Sequence, residues 1–190
     1  DWNERAIDET VLHRMMEAQR HRGPDLSETG FVRTSGINAG FGNSLLVVEP
    51  AMECGSAIFG NGRDVWAMMD GEIYNLDDLG KRFLPGRPLP ATDHEALSAL
   101  FEAKGLELFA ELNGGFSMAV WDRRRERLVL ARDRVGVKPL YYFSKDGEFA
   151  FSSELKALLC HPSVERRLSL RALSKYLAYE YVPTPESIIE

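Results

Sequence analysis

Cysteine is scarce in this chain: 190 residues hold only Cys54 and Cys160. Two lone thiols without pairwise spacing exclude a disulfide framework and a thiolate metal site, so both read as ordinary reduced thiols. Histidine is equally thin. His13, His21, His94 and His161 fall at no ligand spacing, and no metal is inferred. No apolar run approaches the roughly 20 residues that cross a bilayer, and no charged-then-apolar leader opens the chain, which points to a soluble, cytoplasmic protein. Positive charge is in deficit too. A formal net charge of −6 argues against nucleic acid or an anionic membrane as partner, since both are bound through clustered cations. Internal repeats and low-complexity tracts are missing. So is an initiator methionine: the first residue is Asp1, and further residues are expected ahead of it in the natural polypeptide.

What is present has an ordinary globular balance. With 44% hydrophobic and 27% charged residues, the chain can bury one sizeable core. Ile7, Val11, Leu12, Met15 and Met16 recur at helical spacing behind a cap at Asp8, which predicts an amphipathic helix ending near Arg20. Gly23-Pro24 breaks that pattern. Gly30 to Thr34, Ile37 to Phe41 and Leu45 to Val48 then read as short strands bounded by Gly, Asn and Pro. Val65 to Met69 reads as another, delivering Asp70-Gly71 straight into a turn. Leu76 to Phe83 and Asp93 to Lys104 read as helices, with Pro85, Pro88 and Pro90 holding a loop between them. Phe116 to Trp121, Leu128 to Ala131, Leu140 to Phe143 and Phe149 to Ser152 form a run of strands. The first is apolar on both alternating faces, so its sheet should be covered on both sides. Glu154 to Leu159 and Leu170 to Tyr179, the latter capped by Ser169, close the chain as helices. Arg123, Arg124, Arg125 and Arg127 are interleaved with Asp122 and Glu126 and read as a solvated hairpin turn rather than a nucleic-acid contact. The order of elements predicts an α+β fold rather than strict βαβ alternation.

Four segments carry more than fold information. They are Arg20-His21-Arg22-Gly23-Pro24-Asp25, Asp70-Gly71-Glu72-Ile73-Tyr74-Asn75, Thr92-Asp93-His94-Glu95 and the stretch from Ala131 through Arg132-Asp133-Arg134 and Gly136 to Leu140. In that order they resemble the glutamine-hydrolysing domain of asparagine synthetases, a class II glutamine amidotransferase of the N-terminal-nucleophile hydrolase type. The resemblance runs from about Glu9 to the end and implies the four-layer αββα sandwich of those hydrolases. Residues 1–168 would form the amidotransferase domain, and 169–190 an exit helix and linker toward a synthetase domain absent from the sequence. That further domain would use ATP and Mg, with no cofactor expected in the present one. The expected partners are glutamine and the synthetase domain, and a homodimer is left open.

The resemblance also implies roles for single residues. The family's nucleophile is a cysteine at the mature N-terminus, whose own α-amine accepts the proton. Here the strand that would carry it, Cys-Gly-Ile, is missing ahead of Asp1, and neither Cys54 nor Cys160 has an adjacent amine. The chain as given is therefore expected to be inactive. Asp70 and Gly71 take the oxyanion-hole positions, where the family has Asn-Gly. An ionised carboxylate cannot donate to an oxyanion, and losing one such donor typically costs about 10²–10³ in rate. Asp93 would hold the α-ammonium of glutamine, and as an acid at a helix start it also suits the helix dipole. Ser44, or Asn43 with a different gap, stands where the family has an arginine for the α-carboxylate, so free glutamine should bind poorly. Leu45, Val47, Val48 and Glu72 complete the implied substrate-binding set. Arg22-Gly23-Pro24-Asp25 and the Arg132 to Tyr142 region read as scaffold. The parent protein is then expected to hydrolyse glutamine and pass ammonia to an ATP-dependent amidation of aspartate. The alternative is a non-catalytic scaffold domain, as in β-lactam-synthetase-like or lasso-peptide-cyclase-like relatives.

Overall fold

A computed structural model describes residues 7–33, 37–46, 64–90, 92–183 and 186–189. In chain order the elements are α1 (Glu9–Gln19), β1 (Leu26–Arg33), β2 (Asn38–Leu45), β3 (Val65–Ile73), α2 (Leu76–Phe83), α3 (Asp93–Lys104), α4 (Leu108–Glu111), β4 (Gly114–Asp122), β5 (Arg127–Arg132), β6 (Tyr141–Lys145), β7 (Glu148–Ser152), α5 (Leu155–Leu158) and α6 (Leu170–Tyr179). The fold is α+β, with small antiparallel sheets: β1-β2, β3-β4-β5 and β6-β7.

Side-chain caps start α1, α3 and α6 where the sequence indicates. Asp8 Oδ1 accepts from the Thr10 hydroxyl at 2.6 Å and from the Thr10 amide at 2.9 Å, and these bonds, the hydroxyl's first, hold its carboxyl below the ordinary value. Thr92 caps α3 through the Glu95 amide, and Ser169 caps α6 through the Ala172 amide. The arginine-rich turn after β4 folds back on acids: Arg125 reaches the buried Asp122 at 2.9 Å and Arg124 reaches Asp64 at 2.6 Å.

Two expectations need correction. The short segments expected at Gly30 to Thr34 and Ile37 to Phe41 belong to two longer, eight-residue strands, paired from Leu26↔Leu45 to Arg33↔Asn38. Gly40 and Gly42 interrupt nothing; they let α1 lie close. A Cβ on Gly42 would stand 2.6 Å from Met16 Sδ, and one on Gly40 3.3 Å from a Leu12 methyl. Val47, Val48 and Cys54 lie outside the described residues. The second correction concerns the turn after Met69. β3 continues through Asp70, Gly71 and Glu72 to Ile73, in register with Ser117, Phe116, Gly115 and Gly114 of β4. The chain turns at Tyr74-Asn75 instead, where Asn75 donates to the Glu111 carbonyl at 2.9 Å and accepts from the Asn113 amide at 3.0 Å. Gly71 holds φ +118°, and a Cβ there would run into the Gly115 carbonyl. Only glycine keeps the strand going at that point.

The core lies on both sides of β4, as its two apolar faces predict. Phe116, Met118 and Val120 pack with Ala67, Met69, Leu79, Leu97 and Leu100, which places α2 and α3 over one face. Ala119 and Trp121 pack with Met68, Val32 and Phe41, which places the β1-β2 hairpin over the other. α1 packs on β2 and also against α5. Burying such aliphatic and aromatic side chains contributes about 1.5–3 kcal/mol each relative to exposure.

Candidate active site

Strand alternation decides what points between the hairpin and the three-stranded sheet. On β3, Trp66 and Met68 face the hairpin cluster, so Asp70 and Glu72 continue that row. On β2, Ala39 and Phe41 face inward, so Asn43 follows them. On β1, Val32 faces inward and Glu28, the register partner of Asn43, shares its face. Ser44 points the other way. It lies on the face of Gly40 and Gly42 and meets Ser27, with the two hydroxyl oxygens 3.4 Å apart. Leu45 ends β2, and its carbonyl accepts from the Asp25 amide at 3.2 Å.

Asp70 is engaged by two cations. Arg22 Nη2 donates to Oδ2 at 2.8 Å, and Lys138 Nζ lies 3.1 Å from Oδ1. Arg22 also reaches Glu154 Oε1 at 3.5 Å, where His21 (3.4 Å) and Lys156 (3.8 Å to Oε2) join. This network ties the turn after α1, strand β3, the loop before β6 and the start of α5. Sequence reasoning placed Arg22, Lys138 and Glu154 in motifs but gave them no contact with Asp70. The available signal was charge: a carboxylate pointing between sheets needs partners.

Lys138 is held by a loop built on Asp133. The carboxylate of this buried residue accepts from the amides of Val137 (2.9 Å), Lys138 (3.1 Å), Val135 (3.1 Å) and Phe116 (3.3 Å). Burial opposes its charge, but the four amides prevail and hold its carboxyl below the ordinary value. Arg132 clamps the same loop from outside, donating to the carbonyls of Lys138 (2.6 Å) and Gly136 (2.7 Å).

Across the site, Asp93 opens α3 half-buried. Burial pushes its carboxyl above the ordinary value; His94 pulls against that shift and Glu72 adds to it. His94 is shifted down, again by burial first, with Asp93 and Glu28 opposing. Its Nδ1 and the Asn43 Nδ2 are buried without a hydrogen-bond partner. Glu28, Asp93 and His94 thus act on one another, with Glu72 acting on Asp93 and Asn43 opposite Glu28 in register, while Asp70, two residues before Glu72 on β3, is paired with Arg22 and Lys138. Among the described residues, no group of three or more His, Cys, Asp or Glu could hold a metal ion. The described cysteine, Cys160, follows α5 and donates to the Lys156 carbonyl at 3.5 Å.

A family model described as a glutamine amidotransferase domain matches residues 2–190. A putative asparagine synthetase [glutamine-hydrolyzing] 2 of Methanocaldococcus jannaschii is 28% identical over 93% of this chain and 38% of its own length. Asparagine synthetase [glutamine-hydrolyzing] 2 of Bacillus subtilis is 32% identical over 84% of this chain and 21% of its own. A putative asparagine synthetase [glutamine-hydrolyzing] of Mycobacterium tuberculosis is 32% identical over 94% of this chain and 29% of its own. The chain thus spans well under half the length of these relatives.

Proposed function

The chain belongs to the glutamine amidotransferase domain family, and from that premise we propose that it is the ammonia-producing unit of a longer asparagine-synthetase-like protein. It would hydrolyse the glutamine side-chain amide and pass ammonia to an ATP- and Mg-dependent amidation of aspartate in a further domain. The observation that carries this reading is that Asp70, Gly71 and Glu72 are consecutive on β3 and that Glu72 acts on the half-buried Asp93 at the start of α3.

In this reading Asp93, with Glu72 beside it, holds the substrate ammonium. Gly71 offers its amide where the tetrahedral oxyanion develops. Asp70 serves as an acceptor that fixes Arg22 and Lys138, and these supply positive charge near the reacting amide. The nucleophile is a thiolate that neither Cys54 nor Cys160 provides. Residues 1–190 taken alone are accordingly proposed to release no ammonia from glutamine. Residues 1–168 make the domain and 169–190 lead out of it. The layering α2/α3, β3-β4-β5, β1-β2, α1 supports the four-layer αββα sandwich of the N-terminal-nucleophile hydrolases. Full-length protein given aspartate, ATP, Mg and glutamine labelled with ¹⁵N at the side-chain amide tests the reading. Labelled asparagine is expected; ammonia retained entirely as unreacted glutamine would refute it.

A further inference from the structure

The loop that carries Lys138 pins that residue at both ends of its backbone. Its amide donates to Asp133 Oδ2 at 3.1 Å, and its carbonyl accepts from Arg132 Nε at 2.6 Å. The side chain is thereby delivered to β3, where Nζ lies 3.1 Å from Oδ1 of Asp70, the residue before Gly71. Lys138 and Asp70 keep 32% and 29% of their side chains exposed, so the pair is open to a solute rather than sealed in the core. Arg22 is placed differently, its guanidinium spanning Asp70 and Glu154. An ammonium has three donors, and contact with Asp70 Oδ1 takes one of them. Arg22, Lys138 and Lys156 set against Asp70 and Glu154 leave positive charge in excess, and His21 adds to it when protonated. Such a place favours an anion that develops during a reaction.

Asp133 also bears on Gly71. Phe116, the register partner of Gly71, donates its amide to Asp133 Oδ2 at 3.3 Å, and its carbonyl accepts from the Asp133 amide at 2.8 Å, both on the β5 side. Across a non-hydrogen-bonded pair of this kind the partner's own groups turn outward, so the Gly71 amide points off the far edge of β3.

We infer that Lys138 is a catalytic residue of the glutamine reaction, its ammonium donating to the tetrahedral oxyanion the hydrogen bond that the Asp70 carboxylate cannot. This rests on the glutamine-hydrolysing reading above and names the side-chain donor that works beside the Gly71 amide, with Asp70 orienting it. As the thiol sulfur adds to the δ-carbon, the carbonyl electron pair moves to oxygen and Lys138 stabilises it without giving up a proton. The carbonyl then re-forms, the C–N bond breaks, and ammonia leaves with the proton the thiol has lost. Water cleaves the thioester, restoring the thiol and releasing the acid.

The test is ammonia release from glutamine by the full-length natural protein and by its variants. Lys138→Met keeps the stem and removes the donors; kcat is expected to fall by about 10²–10³ with KM little changed. Adding Asp70→Asn to Lys138→Met supplies a side-chain donor and should recover kcat by about tenfold or more. Adding Asp70→Leu removes the same carboxylate in a similar shape with no donor, and should recover nothing. Neither double variant leaves Asp70 without its lysine, so the comparison stands even where Lys138→Met alone fails to fold. Undiminished kcat in Lys138→Met, or a loss confined to KM, would overturn the inference while leaving the amidotransferase reading intact. Equal behaviour of the two double variants would overturn it too, because Lys138 would then serve only to neutralise a carboxylate or to hold the loop. No ammonia from the natural protein would overturn both.

Discussion

At the scale of single residues, the site holds two carboxylates with opposite linkage to stability. Asp93 is shifted up, chiefly by burial, so its ionised form is disfavoured in the folded protein relative to the unfolded chain. That cost is absent below the unfolded value and fully present above the folded one. Asp93→Asn should therefore raise the thermal midpoint at pH 7 and have no such effect near pH 3, while removing ammonium binding. Scanning calorimetry at both pH values checks this, and a lower midpoint at pH 7 would count against it. Asp133 is shifted down by its four backbone amides. Its contribution is present above the unfolded value and lost as pH falls through the folded one. Asp133→Asn should destabilise at neutral pH and flatten the acid limb of the stability profile. A variant whose acid limb matches the natural one would show that the loop does not depend on this charge. Such roles were illegible in the sequence. Arg132-Asp133-Arg134 is visible as a motif, but nothing in its spacing states that the carboxylate is enclosed by its own loop.

Elements were far more legible, because their signals are local. Leu76–Phe83, Asp93–Lys104 and Leu170–Tyr179 form over the predicted ranges, set by apolar periodicity and by caps or proline boundaries. The misreadings share one cause: glycine has more than one use. In β2, Gly40 and Gly42 leave room for α1; in β3, Gly71 relieves contact with Gly115 and lets the strand continue. Sequence alone reads these as breaks. The same reasoning ranks substitutions by what the added methyl would meet. Gly23→Ala would press on the Ser44 backbone, whereas Gly42→Ala meets the flexible end of Met16. We expect a cost of roughly 3 kcal/mol for the first and roughly 1 kcal/mol for the second in chemical denaturation. The reverse order would mean that the hairpin does not bear on the Arg22 turn as closely as the structure indicates.

For the whole molecule, the α+β class and the covering of β4 on both faces followed from patterning, while the side of each sheet on which a residue lands did not. That one-residue distinction separates Asn43, on the face of Phe41, from Ser44, on the face of Gly40 and Gly42. Leu170 and Leu177 on α6 are exposed, and the aligned relatives are far longer than the region they share with this chain. The account's central claim is that the cleft between the β1-β2 hairpin and β3 is where glutamine side-chain amides are hydrolysed. The most direct measurement is ammonia release from glutamine by full-length protein, beside an Asp93→Ala variant whose folding is verified by its thermal midpoint. The account predicts ammonia from the natural protein and a loss of at least about 10²-fold in kcat/KM in the folded variant. Undiminished ammonia release from folded Asp93→Ala would contradict it.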